Sequence, residues 1–164
     1  MGYSAFTSKY NGISNKLYCK DVRLNYMGLL SRSLIALWDT GATRTCISEE
    51  LAKELNLIPT GKTFINTPSG SSTQNTYLVD LYLPNGVAVQ NVMIIDAKIG
   101  NQNIDLLIGM DIITLRDFAV SNFNGKTYFT FRTPSQKHVD YCNEGRIDAL
   151  IGKPHGKGAK KKKK

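Results

Sequence analysis

Asp39 is the residue in this chain best placed to do chemistry. The apolar run Leu34-Ile35-Ala36-Leu37-Trp38 precedes it and Thr40-Gly41-Ala42 follows. A strand buried on both faces is therefore expected to deliver a carboxylate straight into a tight turn. A charged group at the lip of an apolar core needs hydrogen bonds or a partner to hold it. Thr40 brings a hydroxyl, and Gly41, with no Cβ, lets another molecule approach the backbone closely. A presented acid of this kind suits acid–base catalysis. The other reactive side chains are less promising. Cys46 has no histidine near it in sequence and reads as a small buried hydrophobe. His138 and Cys142 are spaced to share one helix face, but two ligands do not make a zinc site and no C-x-x-C accompanies them, so no metal and no cofactor are expected.

Asp39-Thr40-Gly41-Ala42 behind an apolar run resembles the active-site loop of the aspartic proteases. The later stretch Asp105-Leu106-Leu107-Ile108-Gly109-Met110-Asp111 resembles the apolar-apolar-Gly segment that packs behind that loop and leads into a short helix, and the two occur in the same order. Only one D-T-G is present, in a chain of 164 residues. That resembles the single-domain retroviral and retrotransposon branch, the retropepsins, in a bacterial-type or non-viral form. The resemblance implies a mainly β, closed-barrel-like acid protease fold with a flap hairpin and one or two short helices. It also implies a homodimer, because the retropepsin site forms where two identical chains meet on a two-fold axis. Asp39 would be the catalytic residue, with Thr40, Gly41 and Ala42 completing its loop and Ile108, Gly109 and Asp111 supporting it; the place of Asp111 suggests a capping role at the helix start.

The elements that must position this loop follow from the pattern. Residues 1–16 are polar with few apolar anchors and read as a flexible arm, and 17–132 as the protease domain. Leu17 to Tyr26 alternates loosely, as a first strand with a bulge or face switch. Ser48, followed by Glu49 and Glu50, reads as the N-cap of a short helix carrying Leu51 and Leu55 inward. Lys62 to Asn66 and Thr73 to Leu83 form two strands of a hairpin about Pro68-Ser69-Gly70-Ser71, in the position of the retropepsin flap, so those four residues are the expected substrate-binding tip. Pro84-Asn85-Gly86 turns the chain into a strand from Val87 to Ile95. Asn124-Gly125, between the alternating runs Phe118–Phe123 and Lys126–Phe131, is the strongest hairpin signal in the chain. Viral retropepsins end instead in one short strand.

Charge is unevenly placed. The net charge is +8, yet seven lysines and no acid lie from Lys153 onward, leaving 14 basic residues against 13 acidic ones in the rest. Residues 133–164 are read as a C-terminal extension whose lysine-rich tail cannot repay its ordering entropy and is expected to be disordered. Such a tail would hold nucleic acid weakly and without sequence preference, and the body has no basic stripe with interleaved aromatics. No apolar stretch reaches the ~18 residues of a membrane span, and the first residues lack the apolar centre of a secretory signal. Three widely spaced cysteines fit a reducing, cytoplasmic setting.

The activity implied by the resemblance is hydrolysis of peptide bonds by a water held between two copies of Asp39, acting on a protein or peptide substrate. The alternative is a non-catalytic peptide-binding or dimerisation module on the same fold.

Overall fold

The computed structural model describes residues 2–67 and 70–142. Its strands are β1 (Ser4–Lys9), β2 (Leu17–Tyr26), β3 (Leu29–Leu30), β4 (Leu34–Trp38), β5 (Cys46–Ser48), β6 (Gly61–Thr67), β7 (Gly70–Leu83), β8 (Val87–Ala97), β9 (Leu106–Ile108), β10 (Asp117–Phe123) and β11 (Lys126–Thr133). Two short helices, α1 (Glu49–Glu54) and α2 (Met110–Ile113), complete it. Eight strands run in the order β3-β2-β4-β9-β5-β8-β7-β6, and β7 also pairs with β2. That extra pairing closes β2, β4, β9, β5, β8 and β7 into a barrel, while β6 extends from it beside the first half of β7. The mainly β, closed-barrel fold with two short helices is thus the expected one. None of the helices among the described residues is long and apolar enough to cross a membrane.

Local chemistry accounts for most elements. In β2 the register shifts between Cys19 and Val22, with Asp21 at φ 61°, which is the bulge that the broken alternation predicts. Ser48 caps α1 by accepting the Leu51 N–H at 3.1 Å, with Glu49 and Glu50 in the first turn where the helix dipole favours acids. Asn124 (φ 50°) and Gly125 (φ 70°) form the β10–β11 turn, where both central residues must be left-handed. Tyr77, Val79, Leu81 and Leu83 point into the barrel as alternate residues of β7. One residue of the run before Asp39 departs from the expectation: Ile35 is exposed, because β4 is covered on both faces only near its end.

The N-terminal segment also departs from expectation. β1 forms a second, three-stranded sheet with β11 and β10, six residue pairs long against β11, so residues 4–9 are built into the fold rather than trailing from it. Phe6 is buried against Trp38, Phe129 and Phe131. Phe6 is the one aromatic of β1 and leaves little periodic signal, and its partner Phe131 lies 125 residues away. The start of the C-terminal extension is held as well, since Ser135 Oγ and Gln136 N–H donate to Asp117. The lysine-rich tail lies outside the described residues.

Asp105 locks the barrel end at which the parallel strands β4 and β9 begin, opposite the end from which Asp39 emerges. Its carboxylate receives two bonds from Arg32, at 2.7 and 3.2 Å, and the Ile35 N–H at 2.9 Å, while Arg32 also reaches Glu54 at 3.1 Å. Burial alone would raise the Asp105 carboxyl, but the hydrogen bonds from Arg32 and Ile35 outweigh it and hold the group below its ordinary value. A depressed carboxyl contributes stability that is present above its unfolded value near pH 4 and lost as pH falls through the folded one. Asp105→Asn should therefore cost about 1–2 kcal/mol at neutral pH. In urea titrations the difference from wild type should shrink below about pH 4; a difference independent of pH would exclude this origin.

Candidate active site

The Asp39 loop is suspended between two strands. β4 and β9 run parallel, with Trp38 opposite Ile108, and the Asp39 N–H extends this ladder by bonding the Ile108 carbonyl at 2.9 Å. The chain then turns tightly: the Gly41 N–H donates to Asp39 Oδ1 at 2.8 Å and the Ala42 N–H to the Asp39 carbonyl at 3.2 Å. A Cβ on Gly41 would lie 3.1 Å from Oδ1, so glycine leaves this carboxylate oxygen uncrowded. Asp39 is half-buried, and Thr40 and Gly41 are exposed. Among the described residues, Oδ2 of Asp39 and the Thr40 hydroxyl have no hydrogen-bond partner.

A clamp beneath the loop fixes its far half. Met110 N–H donates to the Ala42 carbonyl at 2.8 Å and Asp111 N–H to the Thr43 carbonyl at 3.3 Å. The Asp111 carboxylate accepts the Thr45 N–H (2.8 Å), the Thr45 hydroxyl (2.7 Å) and the Ile112 N–H (3.0 Å), and Thr45 Oγ1 accepts the Gly109 N–H at 3.1 Å. Asp111 thus does not cap α2, whose N-cap is Gly109; it fastens α2 to the loop. The same geometry brings Asp39, Ala42, Ile108, Gly109 and Asp111 together. Fully buried Thr45 was missed. Its only signal is a hydroxyl at an inward position of a β-branched run.

Trp38 rests on a platform that the sequence did not announce. Its ring stacks on Phe118 (5.6 Å, 5° between planes) and meets Phe6, Phe129 and Phe131 at 5.0–5.9 Å. The three-stranded sheet therefore supports the residue that precedes Asp39. The indole Nε1 is buried without an acceptor among the described residues, so aromatic contact rather than hydrogen bonding holds the ring.

The expected flap is the β6–β7 hairpin, with Thr67 opposite Gly70. Gly70 and Ser71 stand at its far end; Pro68 and Ser69 lie outside the described residues. Ile65 of β6 packs against the cluster that contains Leu37 and Cys46, which flank the Asp39 loop in sequence. Burial first, then the charges of Asp111 and Asp39, push the Cys46 thiol up to about 12, so it offers no thiolate nucleophile beside Asp39. Among the described residues no three His, Cys, Asp or Glu side chains gather as a metal site.

Comparison with known proteins points to one family and one fold. Residues 31–114, about half of the chain and including both the Asp39 loop and the Ile108–Asp111 segment, match the family model described as "gag-polyprotein putative aspartyl protease". The structure is similar to a retropepsin-like aspartic protease from Rickettsia conorii, at 12% identity and a TM-score of 0.51 over 80% of this chain and 96% of that one. It also aligns with the EIAV protease (20% identity, TM-score 0.48, 64% of this chain and 90% of that one) and with the protease of simian foamy virus (20%, 0.39, 57% and 90%). No curated protein matches the chain.

Proposed function

Because this chain belongs to the family of gag-polyprotein aspartyl proteases, we propose that it is a homodimeric aspartic endopeptidase whose catalytic pair is Asp39 from each of two copies. The observation that carries this reading is a carboxylate hydrogen-bonded through Oδ1 and, among the described residues, unpartnered at Oδ2, in a turn whose Thr40 and Gly41 are exposed. One chain brings a single such acid, and a second copy supplies the other.

Two Asp39 carboxyls within hydrogen-bonding distance share one proton, because two like charges so close do not both ionise. The ionised member takes a proton from a water held between them, and the resulting oxygen attacks the scissile carbonyl. The protonated member gives its proton to the carbonyl oxygen. A proton then passes to the amide nitrogen, the C–N bond breaks, and the products are a carboxylic acid and an amine. Thr40, exposed and with its hydroxyl unpartnered among the described residues, would bond across the axis to the second loop. Exposed Gly41 would offer its backbone to a peptide bound as an added strand, and the β6–β7 hairpin would cover it. The three unpaired cysteines suit a cytoplasmic setting for this activity.

The test is mass-spectrometric cleavage of a diverse peptide library at about pH 4–7, where one proton is shared, at several chain concentrations. Cleavage should appear at defined sites, and the rate per chain should fall on dilution in parallel with the dimer fraction from sedimentation. No cleavage by a dimeric preparation would favour the binding module. A rate per chain that does not change as the dimer dissociates would place the site within one copy.

A further inference from the structure

Where the β6–β7 hairpin leaves the barrel, a buried carboxylate takes over from the backbone ladder. The β7–β8 register ends at Thr76 opposite Ile95. Immediately beyond it, Asp96 Oδ1 accepts the Asn75 N–H at 3.0 Å, and Oδ2 accepts Asn75 Nδ2 at 2.8 Å and the Tyr77 hydroxyl at 2.9 Å. With the Gln74 amide turned nitrogen-first, Nε2 adds bonds to Oδ1 at 2.9 Å and to the Asp96 carbonyl at 3.1 Å. Asp96 is only 7% exposed, and among the described residues it has no ion-pair partner. Among the described residues the donors that reach it are neutral. Burial first, then this carboxylate, push the Tyr77 phenol up to about 12, so Tyr77 remains a donor.

Asp96 also stands opposite Ile47 in the parallel β5–β8 pairing, and β5 is the strand into which the Asp39 loop runs. One residue therefore joins the root of the hairpin to the strand that leaves the loop. Past this root, Asn75 to Gly70 extend about 20 Å at ~3.4 Å per residue, paired with β6. A rotation of about 10° at the root moves the far end by roughly 3–4 Å on that length.

We propose that Asp96 is a positioning residue for peptide hydrolysis, a latch at the root of the β6–β7 hairpin that sets its height over Asp39 and so governs how firmly substrate is held. This rests on the endopeptidase reading with that hairpin as its flap. In Asp96→Asn the amide nitrogen must oppose one of the donors now satisfied, whereas Tyr77→Phe removes a single bond and keeps the ring.

The experiment is hydrogen–deuterium exchange on the full dimeric chain, wild type beside Asp96→Asn and Tyr77→Phe, with steady-state kinetics on one cleaved peptide. Asp96→Asn should speed exchange about tenfold in residues 61–67 and 70–75 and leave β4 and β9 unchanged. KM should rise about fivefold or more while kcat stays within about twofold, and Tyr77→Phe should do the same to a smaller extent. Unchanged exchange in the hairpin, an equal rise in β4 and β9, or an unmoved KM would overturn the latch. If Asp96→Asn does not fold, Tyr77→Phe decides by the same readouts. A wild type that cuts no peptide overturns the endopeptidase reading, and exchange alone then decides whether Asp96 holds the hairpin.

Discussion

Asp39→Asn should remain folded and dimeric and lose peptide hydrolysis by about a thousandfold or more, on the order of 4 kcal/mol of transition-state stabilisation. Folding should survive because an amide oxygen can still accept the Gly41 N–H that now bonds Oδ1, and the Asp39 backbone bond to Ile108 involves no side chain. Catalysis should not, because an amide neither takes a proton from water nor shares one with its counterpart. Sedimentation and circular dichroism check the first half of the expectation, and cleavage of a peptide selected from the library checks the second. Wild-type rates from a pure Asp39→Asn preparation would remove Asp39 from the mechanism.

The second large effect is expected at a residue that touches no substrate. A Cβ on Gly109 would lie 2.7 Å from the Arg44 carbonyl carbon, 2.8 Å from its oxygen and 2.9 Å from the Ala42 oxygen. All three are backbone atoms of the Asp39 loop, so no side chain can swing aside. The φ of Gly109 is −96°, which any residue adopts; room, not conformation, demands glycine. Relief would have to move the loop and strain the Met110–Ala42 and Gly109–Thr45 bonds. Gly109→Ala should therefore destabilise the chain by about 2–4 kcal/mol, and at temperatures where it is still folded it should cleave peptide at least tenfold more slowly, as misplaced catalytic groups do. Gly12→Ala is the control, with nothing within 4 Å of its added Cβ and an expected change below about 0.5 kcal/mol. Equal behaviour of the two variants in urea titrations would refute the close-approach argument.

The sequence alone was enough for the parts of this protein whose causes are local. The presented acid of Asp39-Thr40-Gly41, the Ser48 cap, the bulge in β2 and the Asn124-Gly125 turn all depend on neighbours within a few residues, where side-chain period and backbone preference act directly. The order of the two loop-forming segments added the barrel and its family. Tertiary structure decided what lies far apart in the chain: Phe6 under Trp38, Thr45 bound to Asp111 and Asp96 at the hairpin root. Phe6 meets Trp38 because the second sheet folds against the barrel, Thr45 meets Asp111 because β5 pairs with β9, and Asp96 meets Tyr77 because β7 pairs with β8. Residue type marks such side chains only as buried or polar, and which partner each one meets is set by how the strands pair and the sheets pack rather than by any local pattern.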